Sequence, residues 1–125
     1  MNVQPPAENL QLETNQFQKG LVEALRLVPT FKQMRVAADY TATKQDYYIG
    51  VTSTAAPRTI TLPALAAVPE WIEYVIKDES GGAGANNITI DGDGAETIDG
   101  ATTKIINSNY GAVRLLRGES AWFTW

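Results

Sequence analysis

The chain has 125 residues, 44 % of them hydrophobic and 19 % charged, a balance that fits one folded domain, or one domain plus an arm, and argues against global disorder. A formal charge of −4 disfavours a nucleic-acid partner, because a phosphate backbone calls for a surplus of Lys and Arg. With no Cys and no His, disulfides, thiolate nucleophiles, zinc–sulfur sites and the commonest general base are all excluded, so no catalytic residue, metal or cofactor is expected.

Met1 to Asn9 is polar, and adjacent Pro5 and Pro6 favour an extended segment, read here as an arm. Between Asn15 and Val28, Phe17, Leu21, Ala24, Leu25 and Val28 recur at helical spacing and make one apolar stripe. Asn15 with Gln18 resembles a capping box, and Pro29 stops the helix. A helix this short is marginal alone in water, so its stripe must cover either its own sheet or a neighbouring subunit. No apolar run approaches the ~20 residues of a bilayer crossing, so no membrane partner is expected. The opening MNVQPPAENL lacks the basic-then-apolar order of a secretion signal.

From Met34 the period becomes two. Met34, Val36, Ala38 and Tyr40 alternate, then Tyr47, Ile49 and Val51, then Ile60 and Leu62 against Thr59 and Thr61. Pro63 and Pro69 bracket Ala64 to Val68, which reads as a loop or one helical turn. Tyr74 to Gly100 reads as a strand, a reversal built on Gly81, Gly82 and Gly84, a strand at Ile88–Ile90, turns at Asp91–Gly92 and Asp93–Gly94, and the start of a third strand. Further strands are expected at 102–106, 112–116 and 121–125. Eight or nine short strands with frequent turns predict an all-β fold, an antiparallel β-sandwich or jelly-roll-like domain over 34–125, preceded by an arm and one short α-helix over 1–33.

Several strands are apolar on both sides: Val75 opposes Tyr74 and Ile76, Leu116 opposes Val113 and Leu115, and Phe123 and Trp125 oppose Trp122. A sheet wet on one face should alternate more cleanly, so Val75, Leu116, Phe123 and Trp125 are candidates for an interface between copies.

Three kinds of site compete with that reading. Asp91, Asp93, Glu96 and Asp99 offer oxygen ligands for calcium, but as an EF-hand loop Glu96 stands where Gly is required and Thr102 where the closing Glu belongs. The run from Gly81 to Ile88 approaches a calcium-binding nonapeptide, which works only in stacked copies. Asp78 with Glu79, or Asp91 with Asp93, would be the carboxylate pair of a glycoside hydrolase, though adjacent acids in Gly-rich turns are more often solvated. Tyr47, Tyr48, Trp71, Tyr110 and Trp122 would be aromatic platforms for a carbohydrate, against the usual use of such rings in packing.

The runs DYTATKQDYYIGVTSTAAPRTITLP, YVIKDESGGAGANNITIDGDGAETIDGA and NSNYGAVRLLRGESAWFTW resemble a β-rich module of tailed-bacteriophage virion proteins, in particular tail-fibre and other appendage proteins. The likeness spans roughly Asp39 to Trp125 and implies a trimeric, non-enzymatic particle component. Fibre proteins carry the module at the end of a long shaft, whereas here it follows a short proline-containing arm and one helix, which suits a capsid decoration (cement) protein. The expectation is therefore a homotrimeric head-decoration protein on the virion surface. Phe17, Leu21 and Leu25 would dock it on the major capsid protein or another virion protein, and Val75, Leu116, Phe123 and Trp125 would lie between copies. A short fibre that recognises a host glycan is the alternative.

Overall fold

The computed structural model describes residues 32–125. The expected arm and helix, with Phe17, Leu21 and Leu25, lie outside the described residues. Nine strands follow: β1 (Lys32–Val36), β2 (Tyr40–Thr41), β3 (Asp46–Val51), β4 (Arg58–Thr61), β5 (Glu73–Asp78), β6 (Ile88–Asp91), β7 (Thr103–Ile106), β8 (Ala112–Arg117) and β9 (Trp122–Thr124). A single 3-10 turn, Leu65–Ala67, occupies the Pro63–Pro69 bracket. It drops Leu65 into the core, and Val68 and Ile72 follow it there.

The strands form a five-stranded sheet, in the order β1-β3-β5-β8-β9, and a four-stranded sheet, in the order β2-β4-β6-β7. Both are mixed. β1, β3 and β5 run parallel, as do β2, β4 and β6. Only the β5–β8, β6–β7 and β8–β9 pairs are antiparallel. The chain thus passes from one sheet to the other at each of its first five connections, winding as a coil before β7 turns it back.

The antiparallel expectation is corrected here, and its physical source is visible. The Gly-rich segment after β5 does not fold β6 back beside β5; it carries the chain to the other sheet. Asp78, at the end of β5, draws the following amides of Ser80, Gly81 and Ala83 onto its own carboxylate, with N···O distances of 3.0, 3.0 and 2.9 Å. Gly81 takes φ 79° to make that wrap, a value side chains resist. Asn86 then donates to the Thr54 carbonyl at 2.8 Å, and the Arg58 N–H donates to the Asn87 carbonyl at 3.1 Å, so β6 starts beside β4. Two further expectations also change. The alternation from Met34 to Tyr40 is broken by a bend at Ala37–Ala38, which moves the chain between sheets. The third strand expected near Gly100 is a tight turn in which Ile98 bridges Ala101 and Trp122.

Period two decides which side chains meet in the middle. Along β5 the side chains alternate strictly, Tyr74, Ile76 and Asp78 buried and Glu73, Val75 and Lys77 half-buried. Ile49, Val51, Ile76 and Leu115 from one sheet join Ile60, Ile88, Ile90 and Ile106 from the other in a single core. Each such side chain contributes about 2 kcal/mol by leaving water. β-Branched residues dominate it because they fit a pleated surface at little rotamer cost. Trp122 and Tyr74 are the largest members, with ring centroids 5.7 Å apart, and the Tyr74 hydroxyl reaches the Thr43 carbonyl at 2.8 Å.

Candidate functional site

The outer face of the five-stranded sheet is assembled by register. Val75 lies opposite Tyr48 on one side and Arg114 on the other, and Glu73 lies opposite Leu116, which in turn faces Phe123. Trp125 donates its N–H to the Arg114 carbonyl at 3.3 Å, so it continues the same face beyond β9. The four residues singled out as an interface, drawn from three strands and the end of the chain, therefore occupy one surface. Val75 is half-buried, while Leu116, Phe123 and Trp125 are 38, 49 and 66 % exposed. Their sequence neighbours Tyr74, Leu115 and Trp122 point the other way and are fully buried.

Charges on this face are paired across strands. Arg114 donates from Nε and Nη2 to Glu73 Oε1 at 3.3 and 3.0 Å, and its guanidinium lies 4.0 Å from the centre of the Trp125 ring. Such stacking shields the ring without removing it from contact. Nearer β1, Glu79 accepts from the Tyr48 hydroxyl at 2.5 Å and from Arg35 Nε at 3.2 Å. Burial, then the bond to Glu79, pushes the Tyr48 phenol up to about 12. Lys77 donates to the Tyr110 carbonyl. Beside Trp125 lies a recess of about 400 Å³ lined by Lys104, Ala112, Val113, Arg114, Thr124 and Trp125. The apolar strip is thus framed by ion pairs that neutralise one another. Glu73 and Arg114 were not singled out in the sequence, since nothing but strand register shows that they are neighbours.

Asp78 is fully buried and serves the fold. Beyond the three loop amides it accepts the Ser80 hydroxyl at 2.6 Å and the Tyr110 N–H at 3.0 Å, joining the Gly-rich loop to the β7–β8 turn. Burial alone would raise its pKa, but the bonds from Ser80, Ala83, Tyr110 and Gly81 outweigh it and hold the carboxyl at about 2. A carboxylate with five donors and no solvent is unsuited to general acid or base work, and neighbouring Glu79 is engaged by Tyr48 and Arg35.

Among the described residues no three Asp, Glu, His or Cys side chains gather as a metal-holding group. The acids considered for calcium are dispersed in their bonding: Glu96 Oε1 accepts the Leu65 N–H at 2.9 Å, and Asp99 binds Thr124. Of the aromatic platforms, Trp122 is buried and cannot present its ring to a sugar, while Tyr47 and Tyr48 are half-buried. Trp71 and Tyr110 remain exposed, at 58 and 60 %. No described helix is long and apolar enough to cross a membrane.

Compared with known proteins, the sequence matches no protein-family model, and no curated protein matches it significantly.

Proposed function

We propose that this chain is a non-enzymatic structural protein of a tailed-phage particle, a homotrimeric capsid decoration protein. The observation that carries the reading is the outer face of the five-stranded sheet, where Leu116, Phe123 and Trp125 stand exposed together beside Val75. Exposed apolar surface rimmed by satisfied charge is what an oligomer buries. In this reading the two sheets are the layers of a sandwich, and Met1 to Val28 is the docking element. Phe17, Leu21 and Leu25 are its anchors on the major capsid protein or another virion protein. The mechanism is mass action: contacts made only by the assembled shell stabilise it, with no chemistry.

Native mass measurement of the full chain tests the self-association. The expected mass is three times the 13.6 kDa of one chain, falling to one for Leu116→Glu combined with Phe123→Glu. Both substitutions sit on the exposed side, so the fold should survive them. A monomeric wild-type chain rules out the trimer, and loss of residues 1–14 without effect on particle binding rules out the docking arm.

Trp71 and Tyr110 support one other reading, a short fibre that recognises a host glycan, because these rings are open to solvent away from the core. Tight binding on a glycan array, lost in Trp71→Ala or Tyr110→Ala, would favour it.

A further inference from the structure

Among the described residues four strands stand last in the two sheets, β1 and β9 in the larger and β2 and β7 in the smaller. An edge strand carries unpaired backbone groups that template pairing with another chain, and folded proteins blunt such edges. On β1 the exposed residues include Lys32 and Arg35. β2 has only two residues. On β7, Lys104 lies opposite Ile90 on the core side of the sheet, an inward-pointing charge that resists extension.

β9 has none of these protections. Its sequence, Trp122-Phe123-Thr124, carries no charge, and it borders the exposed patch. Its outer edge is instead covered by residues 97–99. The Trp122 N–H donates to the Thr97 carbonyl at 2.9 Å, the Asp99 N–H donates to the Trp122 carbonyl at 3.0 Å, and Ile98 bridges Trp122 in parallel. One step further along the edge the acceptor is a side chain. Asp99 Oδ1 takes the Thr124 N–H at 3.1 Å, and Oδ2 takes the Thr124 hydroxyl. Asp99 holds a left-handed φ of 50° to do so, and Gly100, at 86°, turns the chain away immediately afterwards.

We propose that Asp99 is an edge lock: its carboxylate takes the place of the carbonyl an incoming strand would offer to Thr124. The lock closes β9 to strand addition and confines contact between copies to side-chain packing on the sheet face. It applies to a monomer as to a trimer, so it does not rest on the virion reading. The same Thr124 bonds draw the Asp99 carboxyl below the usual carboxylate range, the direction expected of an anion used as an acceptor.

Asp99→Gly is the decisive variant, because glycine accepts the left-handed backbone while removing the carboxylate. The full chain carrying it, Asp99→Asn (which keeps an oxygen at Oδ1) and the wild type are compared by light scattering, thioflavin fluorescence and amide exchange. Asp99→Gly should form open-ended, thioflavin-positive assemblies that lengthen with concentration, with the Thr124 amide exchanging about tenfold faster. The wild type and Asp99→Asn should keep one discrete mass. An Asp99→Gly chain that is folded by circular dichroism and shows the wild-type mass, dye response and exchange overturns the lock. Should that variant fail to fold, amide exchange of the wild-type chain decides: the Thr124 N–H should be protected through its bond to Asp99 Oδ1, and exchange at the rate of an open amide overturns the lock.

Discussion

Asp78 shows how a single carboxylate can organise segments far apart in sequence. Its acceptors hold amides from the loop after β5 and from Tyr110 in the turn before β8. Because the folded state holds the carboxyl at about 2, against an ordinary value of 3.8, the folded protein binds its proton less readily than the unfolded chain does. The associated stability is complete above about pH 4 and is lost as pH falls toward 2; it is on the order of 2 kcal/mol. Denaturant midpoints at pH 7 and pH 3 should therefore differ more in the wild type than in Asp78→Asn. That variant should also be less stable at pH 7 by about 3 kcal/mol, since several amides lose a charged acceptor. Asp46 is a second buried acid, bonded through Oδ2 to the Tyr40 hydroxyl at 2.6 Å and to the Thr43 N–H at 2.9 Å. Its Oδ1 has no hydrogen-bond partner and only the longer ion pair with Lys32 at 3.6 Å.

At the scale of the element, the turns separate glycines that the fold requires from glycines that merely suit it. Gly81 has a left-handed backbone, and a methyl group there would run into the Tyr110 ring; Gly94 has φ 57° with open space around it. Gly94→Ala should cost about 1 kcal/mol, the conformational penalty alone. Gly81→Ala should cost more, about 2 kcal/mol or above, because Tyr110 must also move. Thermal melts of the two variants side by side check the order, and equal losses would show that the loop relaxes freely. Both glycines were legible in the sequence as turn formers. The use of the Gly81 turn was not legible, since positive φ permits a hairpin and a crossover alike. The choice was made by Asp78, Asn86 and Thr54, whose bonds span up to 32 residues.

For the whole molecule, the tryptophans report on surface and core together. Trp122 is buried, while Trp71 and Trp125 are exposed. Iodide should quench the last two and spare Trp122 in a separated subunit. Trp125 should become protected in the proposed trimer, and the Leu116→Glu, Phe123→Glu chain should return it to solvent. Equal accessibility of Trp125 in both would remove the sheet face from the interface.

By itself the sequence determined the period of two and, around Val75, Leu116 and Phe123, which neighbours turn to opposite sides, because side-chain alternation is a local property of extended backbone. Tyr74 against Val75, Leu115 against Leu116 and Trp122 against Phe123 sort to opposite sides as their spacing indicates. The tertiary structure alone decided that strands next in sequence lie in different sheets, that pairing is largely parallel, and that Glu73 meets Arg114 and Asp99 meets Thr124. The reason is physical: alternation specifies which face a residue takes but not which strand comes to lie beside it. That partner is selected by hydrogen bonds and packing between residues the chain brings together only when it closes.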